Sequence, residues 1–172
     1  MNDIAIASKK GRRTLYTYFK NKDEIYYAVI ESEQNKLTQT LWNVVNKNIP
    51  PDEKLLEYIY TRLESVKELV IRNGTLRAEF FRNIERVEQV RRKFDRREIK
   101  AIEAILEEGI AKDVFEVSHV ELTASILHHA FKGLEIPYIR ESFAKKVTDL
   151  KTRRKIILDF ILNGIKKKQT NY

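Results

Sequence analysis

Between Lys22 and about Lys47 the apolar residues Ile25, Val29, Leu37, Leu41 and Val45 recur at helical spacing, with Glu31, Glu33 and Lys36 between them. That period predicts one long amphipathic helix. Asn21, with Glu24 three positions later, supplies its N-terminal cap. Pro50-Pro51-Asp52 stops this helix and starts another, because proline fits a first helical turn and not a helix interior. The next stripe, Leu55, Leu56, Ile59, Leu63, Val66 and Val70, predicts a helix to about Arg72, closed by Asn73-Gly74. Thr75 to Glu108 reads as two helices with a break near Asn83 to Val87, ending at Gly109. Ser118 to Gly133 is another, with Pro137 expected to forbid continuation, and Leu150 to Lys167 is the last. No stretch alternates long enough to argue a strand, so the predicted fold class is all-α.

Composition agrees with that reading and narrows the chemistry. The 172 residues are 42% hydrophobic and 34% charged with only 5 Gly and 3 Pro, which suits helices rather than turn-rich sheets or disorder. The absence of Cys removes disulfides, thiolate metal sites and thiol nucleophiles. No Gly-rich phosphate loop, GxSxG elbow or HExxH pair is present, so an enzyme is not expected, and neither a cofactor nor a metal. No apolar run approaches a membrane span and the N-terminus does not read as a secretory signal, so a cytoplasmic protein is the simplest expectation.

Charge is what singles out the N-terminus. The first 22 residues hold Lys9, Lys10, Arg12, Arg13, Lys20 and Lys22 against Asp3 alone, and so carry +5 of the total +8. Asn2 to Ser8 and Arg12 to Phe19 each suit a short helix around a turn at Lys9 to Gly11, with Leu15 and Phe19 one turn apart on a buried face. Arg12, Arg13, Thr14, Thr17 and Tyr18 then face outward, a mixture that suits a major groove: guanidinium forks for guanine edges, hydroxyls for phosphates. Charge and spacing alone serve DNA binding and a plain solvated face equally well.

Motif spacing separates the two. Asp3-Ile4-Ala5, Thr14-Leu15-Tyr16-Thr17-Tyr18-Phe19 and Lys20-Asn21-Lys22-Asp23-Glu24-Ile25 resemble, block for block, the helix-turn-helix signature of the TetR family of transcriptional regulators. The resemblance implies a DNA-binding head at 1–46 and an effector-binding, dimerising domain at 47–172. It also implies a homodimer on a double-stranded operator, most simply a repressor released by a small-molecule effector. By position, Arg12 and Arg13 would read bases or adjacent phosphates, Thr14, Tyr16, Thr17 and Tyr18 would touch bases and backbone, and Lys22 would meet a phosphate. The dimer contact is expected from the last two long helices, through Leu127, Phe131, Ile157, Phe160, Ile161 and Gly164.

The chain departs from the family pattern in two ways. Ser8, Lys9 and Lys10 replace an alanine, a glycine and a small apolar residue in the turn, and Gly11 stands at the cap of the recognition helix. The family's first helix has no counterpart before Asn2, so a head with few partners for Ile4, Leu15 and Phe19 and weak DNA binding are expected. The alternative function is therefore a dimeric effector-binding or interaction module that no longer binds DNA. Tyr58, Phe80, Phe81, Phe94, Phe115 and His128 are the candidates for lining an effector pocket, against the plainer reading of core. The run Arg91-Arg92-Lys93 to Arg96-Arg97, with Asp95 and Glu98, reads as a surface helix laced with intrahelical ion pairs.

Overall fold

The computed structural model describes residues 2–72 and 84–140, and beyond them positions 152, 156, 159, 160, 162 and 163. The described residues form six helices: α1 (Asn2–Ala7), α2 (Arg12–Tyr18), α3 (Lys22–Val45), α4 (Pro51–Arg72), α5 (Ile84–Ala111) and α6 (Val120–Ile139). Positions 152, 156, 159, 160 and 162 are helical and fall in the helix expected over 150–167. The Asn73-Gly74 stop lies outside the described residues. Among these residues no helix is long and apolar enough to cross a membrane.

The starts and stops follow local chemistry. Asn21 caps α3, its side chain accepting from the Glu24 amide at 2.9 Å, while the Glu24 carboxylate accepts from the Lys20 amide at 2.7 Å. Helix α5 runs past Gly109 and stops two residues later, where Asp113 takes a left-handed φ of 58° and the Val114 amide reaches back to the Gly109 carbonyl at 2.8 Å. Gly109 serves packing instead: the Phe115 ring folds back onto it, occupying the space of a side chain. Helix α6 runs past Gly133 and through Pro137 to Ile139, contrary to the expected stop. Proline at this point removes only the amide that would bond the Gly133 carbonyl, and Gly133 is exposed, where an unpaired carbonyl costs least.

Helices α3, α4, α5 and α6 pack on one another, with α5 against the other three. Leu37, Leu41 and Val44 of α3, Leu55, Ile59, Leu63 and Val66 of α4, Ile102, Ile105 and Leu106 of α5, and Phe131 of α6 form the core, and Leu162 packs at its edge. The C-terminal half of α3 thus lies in the helical body, while its N-terminus follows directly on the head.

Candidate nucleic-acid interface and a buried charge cluster

Helix α2 buries one residue, Leu15, and leaves Phe19 half-buried at its cap. Arg12, Arg13, Thr14, Tyr16, Thr17 and Tyr18 are all exposed, as are Lys9, Lys10 and Lys20 around them. Tyr18 presents 74% of its surface to solvent. Arg12 lies over the Tyr16 ring, 5.6 Å from its centroid, and the Thr17 hydroxyl donates to the Arg13 carbonyl at 3.1 Å. Lys22 is exposed at the first residue of α3, at the positive end of that helix's dipole.

The turn between α1 and α2 keeps regular geometry despite its unusual residues. The Lys10 amide donates to the Ala5 carbonyl at 3.0 Å and the Lys9 amide to the Ile6 carbonyl at 3.1 Å, a left-handed helix stop with Lys9 at φ 53°. A side chain there costs about 1–2 kcal/mol relative to glycine, partly offset by the greater unfolded-state freedom of glycine. Lys9→Gly is therefore expected to stabilise the protein by about 0.5–1 kcal/mol, read as a higher midpoint in chemical denaturation. A lower midpoint would refute the strain.

The second site is in the body, where charged side chains occupy core positions. Arg62 is fully buried on the apolar stripe of α4, and Glu135 is 2% exposed on that of α6. The Arg62 guanidinium donates to Glu98 at 2.7 Å and to Glu135, and Arg91 grips the two oxygens of Glu135 at 2.6 and 2.7 Å. Arg91 also reaches Glu88 at 3.1 Å, and Lys132 bridges Glu88 at 2.7 Å and Asp95 at 3.1 Å. His128, fully buried, has Nε2 3.2 Å from Asp95 and Nδ1 3.5 Å from Glu98. The Tyr58 hydroxyl donates to the Glu98 carbonyl at 3.3 Å.

These contacts set the protonation states. Burial opposes ionisation of Asp95 and Glu98, yet His128 and Lys132 at Asp95, and Arg62 with His128 at Glu98, outweigh it and hold both carboxyls down at about 2. At Glu135 burial is likewise outweighed by Arg91 and Arg62, and its carboxyl is held below the usual range. Burial pushes His128 down, but Asp95 and Glu98 prevail and raise it. Burial, with Glu98 nearby, pushes the Tyr58 phenol up, so it stays neutral.

The structure corrects the reading of the basic run and places the other expected site residues that it describes. Arg91 is buried and pairs across to α6 as well as with Glu88 on its own helix, and Asp95 and Glu98 point into the cluster, so only Arg92, Lys93, Arg96 and Arg97 of the run lie on the surface. Of the expected pocket residues, Tyr58 and His128 belong to the charge cluster, Phe94 is 3% exposed in the core, and Phe115 covers Gly109. Phe80 and Phe81 lie outside the described residues. Leu127 and Phe131, expected at the dimer contact, face the protomer's own core because α5 packs on that side of α6. The outward apolar residues of α6 are Leu122 and Ile126, each 59% exposed. Phe160 is 85% exposed, and Ile157, Ile161 and Gly164 lie outside the described residues. The sequence reading missed Arg62 and Glu135, although charged residues on otherwise apolar stripes were the available signal.

No protein-family model matches the chain. An uncharacterized HTH-type transcriptional regulator of Bacillus subtilis (strain 168), YhgD, is 26% identical over 129 residues, which is 74% of this chain and 66%, just under two-thirds, of that protein. A solved transcriptional regulator from Cytophaga hutchinsonii superposes with a TM-score of 0.75 at 22% identity, covering 97% of this chain and 88% of its own. A putative fatty acid metabolism regulator from Clostridium perfringens gives 0.66 at 26% identity over 97% and 89%. A bacterial regulatory protein of the tetR family from Rhodococcus RHA1 superposes with a TM-score of 0.59 at 16% identity over 94% of this chain and 83% of its own, and the fold is TetR-like.

Proposed function

We propose that this chain, with its TetR-like fold and helix-turn-helix head, is a DNA-binding transcriptional regulator that works as a two-fold dimer, in the manner of a repressor released by a small-molecule effector. The observation that carries this reading is the outward face of α2: two arginines, two threonines and two tyrosines around the single buried Leu15. The regulator relatives at 26% identity support it.

In this reading α2 enters the major groove, with Arg12 and Arg13 placed for guanine edges or phosphates and Thr14, Tyr16, Thr17 and Tyr18 for bases and backbone. The contact of the Arg12 guanidinium with the Tyr16 ring restricts that side chain, which lowers the entropy lost when it docks. Lys22 and the first amides of α3 meet a phosphate. Dimerisation runs through the apolar outer surface of Leu122, Ile126, Ile156 and Phe160, each more than half exposed in the protomer. The effector acts on the helical body, whose helix α3 leads into the head.

Binding of the purified chain to a duplex from upstream of its own gene, followed by fluorescence anisotropy across a salt series, tests this. Lys22→Ala is expected to weaken specific and random duplexes alike and to reduce the salt slope by about one. Arg13→Ala is expected to cost about 1–3 kcal/mol on the specific site and to narrow its advantage over random DNA. Binding to no duplex, or equal losses on both duplexes for both variants, would contradict the assignment.

A further inference from the structure

The buried cluster is one positive charge short. Among the described residues its carboxylates are Glu88, Asp95, Glu98 and Glu135, and its permanent cations are Arg62, Arg91 and Lys132. The group placed to supply the missing charge is His128, whose side chain is wholly buried with a carboxylate facing each ring nitrogen. A neutral imidazole can donate from only one nitrogen, so its other nitrogen would set a lone pair against a carboxylate. The imidazolium turns a positive N–H toward each carboxylate, and charge attraction at 3.2 and 3.5 Å suffices although neither nitrogen has hydrogen-bond geometry here. From α4 the ring is faced by Arg62, within the same cluster, and Tyr58 bonds the backbone of Glu98. From its own helix it meets Lys132 through the shared Asp95, and His129 edge-on at 5.1 Å.

The cluster is also mechanically placed. Asp95 and Glu98 project from α5 toward α6, whereas Lys93 and Arg97 of the same helix turn reach Glu31 at 3.6 Å and Asn35 at 3.3 Å on α3. Helix α5 therefore joins the His128 site to the helix that leads into the head. Asp95, one-fifth exposed, gives the proton a way to and from solvent.

We propose that His128 is a proton-binding regulatory site. As an imidazolium between Asp95 and Glu98 it completes the charge balance and clamps α6 to α5. Release of the proton to solvent leaves an uncompensated carboxylate in the core, loosens α5, and with it α3. The effect on the head rests on the DNA-binding reading, whereas the proton site itself does not. Because Asp95 and Glu98 favour the charged ring, its folded-state pKa lies above the ordinary value of about 6.5. The stabilisation is thus complete below about pH 6.5 and is lost as pH rises through the folded-state value.

The test uses the full chain, His128→Gln and the control His129→Gln between pH 5.5 and 9. NMR of the histidine ring protons should show a resonance, absent from His128→Gln, that titrates above 6.5. The thermal midpoint of the parent and of His129→Gln should fall across that titration, while His128→Gln stays flat. Affinity for the upstream duplex should fall about five- to tenfold from pH 6 to 8.5 in the parent and not in His128→Gln. A His128 midpoint at or below 6.5 in the parent overturns the proposal without reliance on the variant's folding. A high midpoint with pH-independent DNA affinity overturns the coupling to the head. DNA binding at no pH, with titration and melting as expected, supports the proton site and counts against the DNA-binding reading.

Discussion

Glu135→Ala is expected to destabilise the protein by about 3–5 kcal/mol, a large share of the 5–15 kcal/mol that holds a typical domain folded. The carboxylate receives Arg91 through both oxygens and Arg62 through one, and all three side chains are nearly inaccessible to water. Its removal leaves two buried guanidinium groups facing each other with only Glu98 and Glu88 as counter-charges. The midpoint of thermal unfolding should drop by roughly 10 °C, at about 2–4 °C per kcal/mol for a chain of this size. Glu135→Gln separates charge from hydrogen bonding: the amide keeps an acceptor for one arginine, and stability should still fall by most of the same amount. Arg72→Ala breaks an exposed 2.9 Å pair with Glu33 and should cost less than about 1 kcal/mol. A Glu135→Ala loss as small as that of Arg72→Ala would show that the cluster contributes nothing its burial suggests.

The same cluster sets the acid limit of stability. Carboxyls lowered in the folded state stabilise it above their unfolded values near 4, and that contribution disappears as pH falls through the folded values, about 2 for Asp95 and Glu98. Acid unfolding is expected between these limits. The loss through His128 runs the other way, toward alkaline pH, so stability should peak between the two.

Gly109→Ala should destabilise by about 1–3 kcal/mol, against the usual gain of about 1 kcal/mol when alanine replaces glycine in a helix. A methyl group at Gly109 would lie 2.0 Å from one ring carbon of Phe115 and 2.5 Å from another, and that ring is 3% exposed. The ring cannot move without opening the end of the core that it seals, because the Phe115 amide is tied to the Gly109 carbonyl at 3.1 Å. Gly133→Ala supplies the contrast: no atom lies within 4 Å of the new methyl, and the substitution should stabilise. In a double-mutant cycle, Gly109→Ala combined with Phe115→Ala should cost less than the two separately, since the smaller side chain removes the clash. Strict additivity would show that the two residues do not share that space.

How far each site is legible depends on the range of the interactions that make it. The cap at Asn21 and Glu24, the break at Pro50-Pro51 and the outward face of α2 follow from residues within one turn of each other, and the amino-acid sequence determines them. The apolar period that marks α3 and α4 is local in the same sense. Lys9 shows the limit of that rule: the left-handed stop forms at a lysine because the following helix needs the turn, whatever the residue's preference.

The sequence by itself determined the helices, their class and the basic, hydroxyl-rich character of the head, because hydrogen bonding and periodicity act over a few residues. The tertiary structure alone decided which charges go inside. Arg62 meets Glu98 36 positions away and Glu135 73 positions away, and each is tolerated in the core only because the other arrives from a different helix. The same long-range packing turned Leu127 and Phe131 inward, gave the space beside Gly109 to Phe115, and enclosed His128 between two carboxylates.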